Sequence, residues 1–274
     1  MFEVLSLLRP VLRRGRLLVW AVLLGALPVH AAQLVLYTEE NPPLNFSQGG
    51  ELSGFSTEVV RALAERTGDG VRIELGPWTR GYGKAMTSAN SGVFSIARIA
   101  GREKAFQWVG PLVQTRNRFY THKGAGLRID SLEQAARAGR LVLLRNWYTH
   151  EYLSARGFTD LYTVTAPDKM MQMFGKRRAD LLAASELALP ALLAMAGMTP
   201  EQVEPQFVFL EHQSYLAFSP ATAPAIVARW QAALDEMKRA GEFGELYRRW
   251  FPDLPLPAAL LSGSPLSPAE PPLP

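Results

Sequence analysis

A chain of 274 residues, 48% apolar and 20% charged, has the balance of a globular fold with one large or two modest domains, which excludes a fibrous or highly charged disordered chain. It contains no cysteine, so neither a disulfide framework nor a lipid-modifiable cysteine is available. The formal charge of +4 does not imply nucleic acid, because Arg9, Arg13, Arg14, Arg16 and Glu3 all fall in the first 31 residues and the remainder carries 25 basic against 24 acidic side chains.

Those first 31 residues read as an export signal. Arg13-Arg14-Gly15-Arg16 precede an apolar run from Leu17 to Leu27, and Pro28-Val29-His30-Ala31-Ala32 supplies small residues for cleavage near Ala31. The eleven apolar residues fall short of the roughly 20 that span a bilayer, so the leader reads as removable rather than as an anchor. A periplasmic address follows. Leu34–Tyr37 then reads as a buried strand that ends in the Glu39-Glu40-Asn41-Pro42-Pro43 loop. Ser56 is a candidate N-cap for a helix that places Val59, Val60, Leu63 and Ala64 on one face and stops at Gly68. Val71, Ile73 and Leu75 alternate as a strand, and residues 92–97 form another, giving strand–helix–strand order and α/β layers.

Beyond Pro111 the pattern restarts. Arg118-Phe119-Tyr120 is extended, Ser131 and Gln134 form a capping box for a helix to Ala138, and Leu141–Leu144 reads as a buried strand. Met170, Met171, Met173 and Phe174 follow Pro167 on a helix and read as core, because no Cys or nearby His supports a soft metal. Residues 179–183 form a strand, residues 206–210 and 215–218 two more, and Ile226, Trp230, Leu234 and Met237 recur at helical spacing. The tail over 252–274 is rich in proline without apolar periodicity and is expected to be disordered or loosely draped.

The densest chemistry lies in Ser95–Leu112, where an apolar strand runs into a turn carrying Arg98 and Arg102, followed by Phe106, Trp108 and Pro111. A guanidinium offers paired donors matched to a carboxylate. This stretch, the Glu40–Pro43 loop with Gly54-Phe55-Ser56, the Gly175–Asp180 approach to a strand and the closing Ala233–Trp250 helix stand in the order found in bacterial extracellular solute-binding proteins of family 3. Over residues 33–251 the chain resembles that family of amino-acid-type binding proteins of ABC importers.

The resemblance implies a two-lobed periplasmic-binding-protein fold of type II, with two hinge strands joining the lobes. Lobe 1 would comprise residues 32–114 and 213–251, and lobe 2 residues 115–212. Arg102 takes the family's carboxylate-binding position, with Arg98 as a second arginine. Tyr37, Phe46 and Trp78 are candidate ligand platforms, each also readable as core. Asn146, Trp147 and Tyr148 occupy the helix start that holds the carboxylate from lobe 2, and Ser185 stands at the position, five residues after Asp180, of the acid that holds an amino group. Two departures follow: Ile99 replaces a threonine of the family's "T-x-x-R", and Ser185 is not an acid, with Glu186 pointing to the opposite strand face. An organic acid, an aromatic acid or a modified amino acid suits this set, while Glu39, Glu40 or Glu58 could serve a cationic ligand. The implied partners are a small solute and an inner-membrane ABC permease, the chain acting as a monomer with no cofactor.

Catalytic patterns are weak. Gly54–Glu58 lacks the last glycine of a nucleophile elbow, and residues 80–85 lack the first glycine and the hydroxyl of a phosphate loop. His122, His150 and His212 are scattered without metalloprotease spacing, which reads as surface or packing roles rather than zinc ligands. A binding protein rather than an enzyme is expected. The rivals are a periplasmic dehydratase acting on prephenate-like acids on the same fold, and a receptor that signals to a membrane sensor kinase.

Overall fold

The computed structural model describes residues 32–145 and 147–262; the expected leader, Asn146 and the tail beyond 262 lie outside this range. The described residues form one compact unit. Its first half alternates strand and helix: β1 (Gln33–Thr38), the hairpin β2 (Phe46–Gln48) and β3 (Glu51–Ser53), α1 (Phe55–Thr67), β4 (Gly70–Leu75), α2 (Trp78–Thr87) and β5 (Ser91–Ala97). A 3-10 turn over Ala100–Ala105 leads into the long strand β6 (Gln107–His122). Then come α3 (Leu132–Ala135), β7 (Leu141–Leu144), α4 (Tyr148–Ser154), β8 (Leu161–Val164), α5 (Pro167–Gly175), β9 (Leu181–Ser185) and α6 (Leu189–Met195). The long strand β10 (Val203–Phe218) returns the chain to α7 (Pro224–Arg239), α8 (Glu242–Trp250) and α9 (Ala258–Ser262).

Eight strands form one mixed sheet in the order β4-β1-β5-β10-β6-β9-β7-β8. Its middle is the antiparallel pair β6 and β10, each 16 residues long. Residues 214–218 of β10 pair with β5, whereas residues 117–121 of β6 pair with β9, so each long strand serves one half of the sheet and then the other. This gives two α/β lobes that share two continuous strands. The apolar runs near 206–210 and 215–218 are one strand here, because the polar residues 211–214 lie opposite 113–116 of β6 and continue the ladder.

Strand periodicity explains the double layer. Leu34 and Leu36 belong to one buried cluster of lobe 1 and Tyr37 to another across the sheet; in lobe 2, Val142 and Leu144 face one cluster, Leu141 and Leu143 the second. Alternate side chains point to opposite faces, so a strand covered on both sides reads as a continuous apolar run. Met170, Met171 and Phe174 pack in the lobe 2 core. Asp69 ties the residue before β1 to helix α7: its carboxylate accepts from the Ala32 amide at 2.8 Å, Arg229 at 2.7 Å and Trp230 at 2.7 Å.

Several local boundaries differ from the sequence reading. The N-cap of α1 is Gly54, not Ser56. Its φ of 118° and a backbone approach that would put a Cβ 2.4 Å from the Leu44 carbonyl exclude a larger residue, and this contact sets the 39–44 loop against α1. The closing helix is two helices, separated at Gly241 with φ 85°. The described part of the tail, residues 252–262, is packed rather than draped, since Leu256 meets the lobe 1 core and Leu260 on α9 is fully buried. Two isolated leucines carry no periodicity, yet each fills an apolar recess.

Candidate functional site between the lobes

Arg102 is set by the 3-10 turn after β5, where its amide donates to the Ile99 carbonyl at 2.9 Å. It is only 4% exposed. Helix α2 supplies the floor: Trp78 and Tyr82, one helical turn apart, lie with ring centres 5.4 Å from each other and 5.3 and 5.4 Å from the guanidinium carbon. The guanidinium then reaches across to lobe 2, where Nη2 donates to both carboxylate oxygens of Glu151 on α4, at 2.8 and 2.9 Å.

A second contact across the lobes lies beside it. Trp147, at the start of α4, donates its indole N–H to the Glu39 carboxylate at 3.2 Å. Burial pushes the Glu39 carboxyl up to about 8, against the opposing pull of that hydrogen bond and of the Arg102 charge. Neutral Glu39 is therefore favoured at pH 7. Tyr148 donates its hydroxyl to Asn117 Oδ1 at 2.7 Å, and burial raises its pKa. Because that oxygen is occupied, Asn117 turns its amide N–H groups to the Leu210 carbonyl at 3.3 Å and to His212 Nδ1 at 3.2 Å. His212 is thus the neutral tautomer that accepts at Nδ1. Burial, helped by the charge of Arg102, lowers its pKa to about 3.

Next to this network a cavity of about 30 Å³ is lined by Asn41, Pro43, Thr115, Asn117, Tyr148 and His212, room for about two waters. Larger recesses of about 350 and 410 Å³ both border Trp147. One is walled by Phe46, Pro42, Leu192 and Met195, the other by Trp78, Pro77, Arg145 and Pro167. The arrangement offers a cation, a carboxyl, indole and phenol rings and hydroxyls on two facing walls. Among the described residues it shows no hydrogen-bonded nucleophile–base pair, and no group of three or more His, Asp or Glu converges as metal ligands.

Of the residues singled out from sequence, the structure brings together Arg102, Trp78, Trp147 and Tyr148. Ser185 lines the same cavity, but its hydroxyl accepts from the Ala188 amide at 3.0 Å. Arg98 is elsewhere: Nε and Nη2 donate to Glu103 at 2.8 and 2.6 Å, and its guanidinium lies over Trp108 and Tyr215. Tyr37 is buried against α2, where a Cβ at Gly81 would come 2.9 Å from its own. Phe46 packs edge-on against Trp250 at 6.1 Å and lines only an outer recess. Among the candidate acids, Glu40 accepts from the Ser47 amide and Glu58 from Trp250, leaving Glu39 between the lobes. Tyr82, Asn117, Glu151 and His212 were not singled out as site residues. The spacing of Trp78 and Tyr82 could have found Tyr82; nothing local marks Glu151, 49 residues from its partner.

Two α/β lobes continuous through two long strands, with polar groups facing each other across the junction, define a two-lobed solute-binding fold. The model for bacterial extracellular solute-binding proteins, family 3, matches residues 34–253, and the chain belongs to that family. Among solved structures, a histidine kinase sensor domain with similarity to periplasmic binding proteins superposes with TM-score 0.73 at 19% identity, covering 80% of this chain and 96% of its own. An ancestral arginine-binding protein bound to arginine gives 0.70 at 18%, covering 80% and 98%. The arginine-, lysine-, histidine-binding protein ArtJ of Geobacillus stearothermophilus gives 0.70 at 12%, covering 81% and 96%. At these identities the likeness is one of fold. No curated protein sequence matches the chain. Among the described residues no helix is long and apolar enough to cross a membrane.

Proposed function

We propose that this protein captures a small carboxylate-bearing solute, an amino acid or related organic acid, between its two lobes and delivers it in the periplasm to an inner-membrane ABC importer. The observation that carries the reading is Arg102, a buried guanidinium seated on Trp78 and Tyr82 with Nη2 facing lobe 2. Such a group gives a carboxylate both charge and orientation. Membership in a solute-binding family supports capture, and β6 and β10 are the continuous strands about which two lobes can open and close. The lobes meet near residues 114–116 and 212–213 in this reading, and Trp78, Trp147, Tyr148 and Glu39 complete the pocket wall.

The test is a thermal-shift panel of amino acids, dicarboxylates, aromatic acids and polyamines. A ligand at about 100 times its dissociation constant adds roughly 2.7 kcal/mol to stability. A shift confined to acids that vanishes in Arg102→Ala supports the proposal; a shift of equal size in that variant refutes the anchor. The likeness to a sensor domain favours, as a second reading, a receptor that presents the same bound solute to a membrane kinase. Stimulation of a reconstituted permease ATPase by the loaded protein would decide for transport.

A further inference from the structure

Arg102 is the anchor proposed above for a solute carboxylate, yet a carboxylate already sits on it. We infer that Glu151 is a built-in stand-in for that carboxylate: it holds the two lobes together from within the chain, and an incoming acid must take its place. The inference rests on the proposed role of Arg102.

The setting differs from that of a surface ion pair, because one partner is sequestered. Both Glu151 oxygens converge on one nitrogen of a guanidinium whose side chain is 5% exposed, whereas the Glu151 side chain is 43% exposed and reaches in from α4. An acid arriving from solvent can therefore meet Glu151 while Arg102 stays sequestered. Among the described residues no other side chain accepts from Arg102, so the guanidinium depends on this one partner. Charge accounting agrees. The Arg102 charge is balanced by the Glu151 carboxylate, and a second anion bound beside Glu151 would be left without a counter-charge of its own, so exchange is favoured over addition. The cost of displacing Glu151 is small because its carboxylate returns to water.

The chain's lack of cysteine allows a direct test. Met86→Cys on α2 and Lys169→Cys on α5, both exposed and on different lobes, carry spin labels in the full chain, and electron–electron resonance reads the distance between lobes. The unaltered site should give one short distance that excess acetate does not change. Glu151→Ala should add a longer population, and acetate should restore the short one by refilling the site. Glu151→Gln, which keeps the shape, should open similarly. In an Arg102→Gln background acetate should do nothing. If Glu151→Ala and Glu151→Gln both remain as closed as the parent, the inference is overturned. Opening that acetate does not reverse would also overturn it, leaving Glu151 a clamp and no stand-in. The thermal-shift panel can fail independently, which would remove the solute reading while the distance measurement still judged the clamp.

Discussion

Arg98 and Arg102 stand four residues apart on the segment after β5, and both lie over aromatic pairs, but they end in different surroundings. Arg98 finds Glu103 within its own lobe, five residues along the chain, with side chains 26% and 38% exposed. Arg102 is sequestered and its partner comes from the other lobe. The first pair forms wherever the turn forms; the second exists only while the lobes meet. A local pair of this kind contributes to lobe 1 alone, whereas the long-range pair couples folding of the site to closure.

The largest expected effect is therefore at Arg102. Arg102→Ala removes a sequestered ion pair and two ring contacts, and should cost about 3 kcal/mol in urea denaturation, the low end for a buried pair because Glu151 is partly solvated. Double-mutant cycles sharpen the contrast: the Arg102–Glu151 coupling should exceed the Arg98–Glu103 coupling by about 1 kcal/mol or more. Equal couplings would break the distinction between the two pairs.

Acid and alkali probe the groups around Arg102 in opposite directions. Glu39, held up to about 8, keeps in the folded protein a proton that the unfolded chain releases near 4.5, so its contribution is lost as pH rises from about 5 through 8. His212, held down to about 3, stays neutral in the folded protein, so its contribution is lost as pH falls below about 6.5 towards 3. Thermal melts across pH should show Glu39→Gln flattening the alkaline side and His212→Gln the acid side. A Glu39→Gln profile that parallels the parent would place Glu39 in open solvent. The smallest effect belongs to Arg98→Ala, about 1 kcal/mol or less, with no change in the solute panel.

Much of this was legible in the chain itself. Continuous apolar runs such as Leu141–Leu144, the Ser131–Gln134 capping pair and the Gly68 stop are local signals, and the structure shows all three: a buried strand, a Gln134 amide bonded to Ser131 Oγ at 3.2 Å and a left-handed Gly68. Local signals fail where a neighbour distant in sequence decides. The polar residues 211–214 looked like a break between two strands, but pairing with β6 carries β10 straight through them. Leu260 looked like tail until a hydrophobic recess took it.

By itself the sequence determined the α/β layering, the two-lobed family pattern and the presence of an arginine on the turn after β5, because propensity, periodicity and motif spacing act over a few residues. Only the tertiary structure decided which arginine faces the other lobe, that Glu151 pairs with it while Glu39 is buried close by, and that Asn117 fixes the tautomer of His212. Those outcomes depend on burial and on groups up to about a hundred residues apart, such as Glu39 and Trp147, 108 residues along the chain from each other. The free energy of a charge is set by what surrounds it after folding, and the order of residues carries that only through the fold.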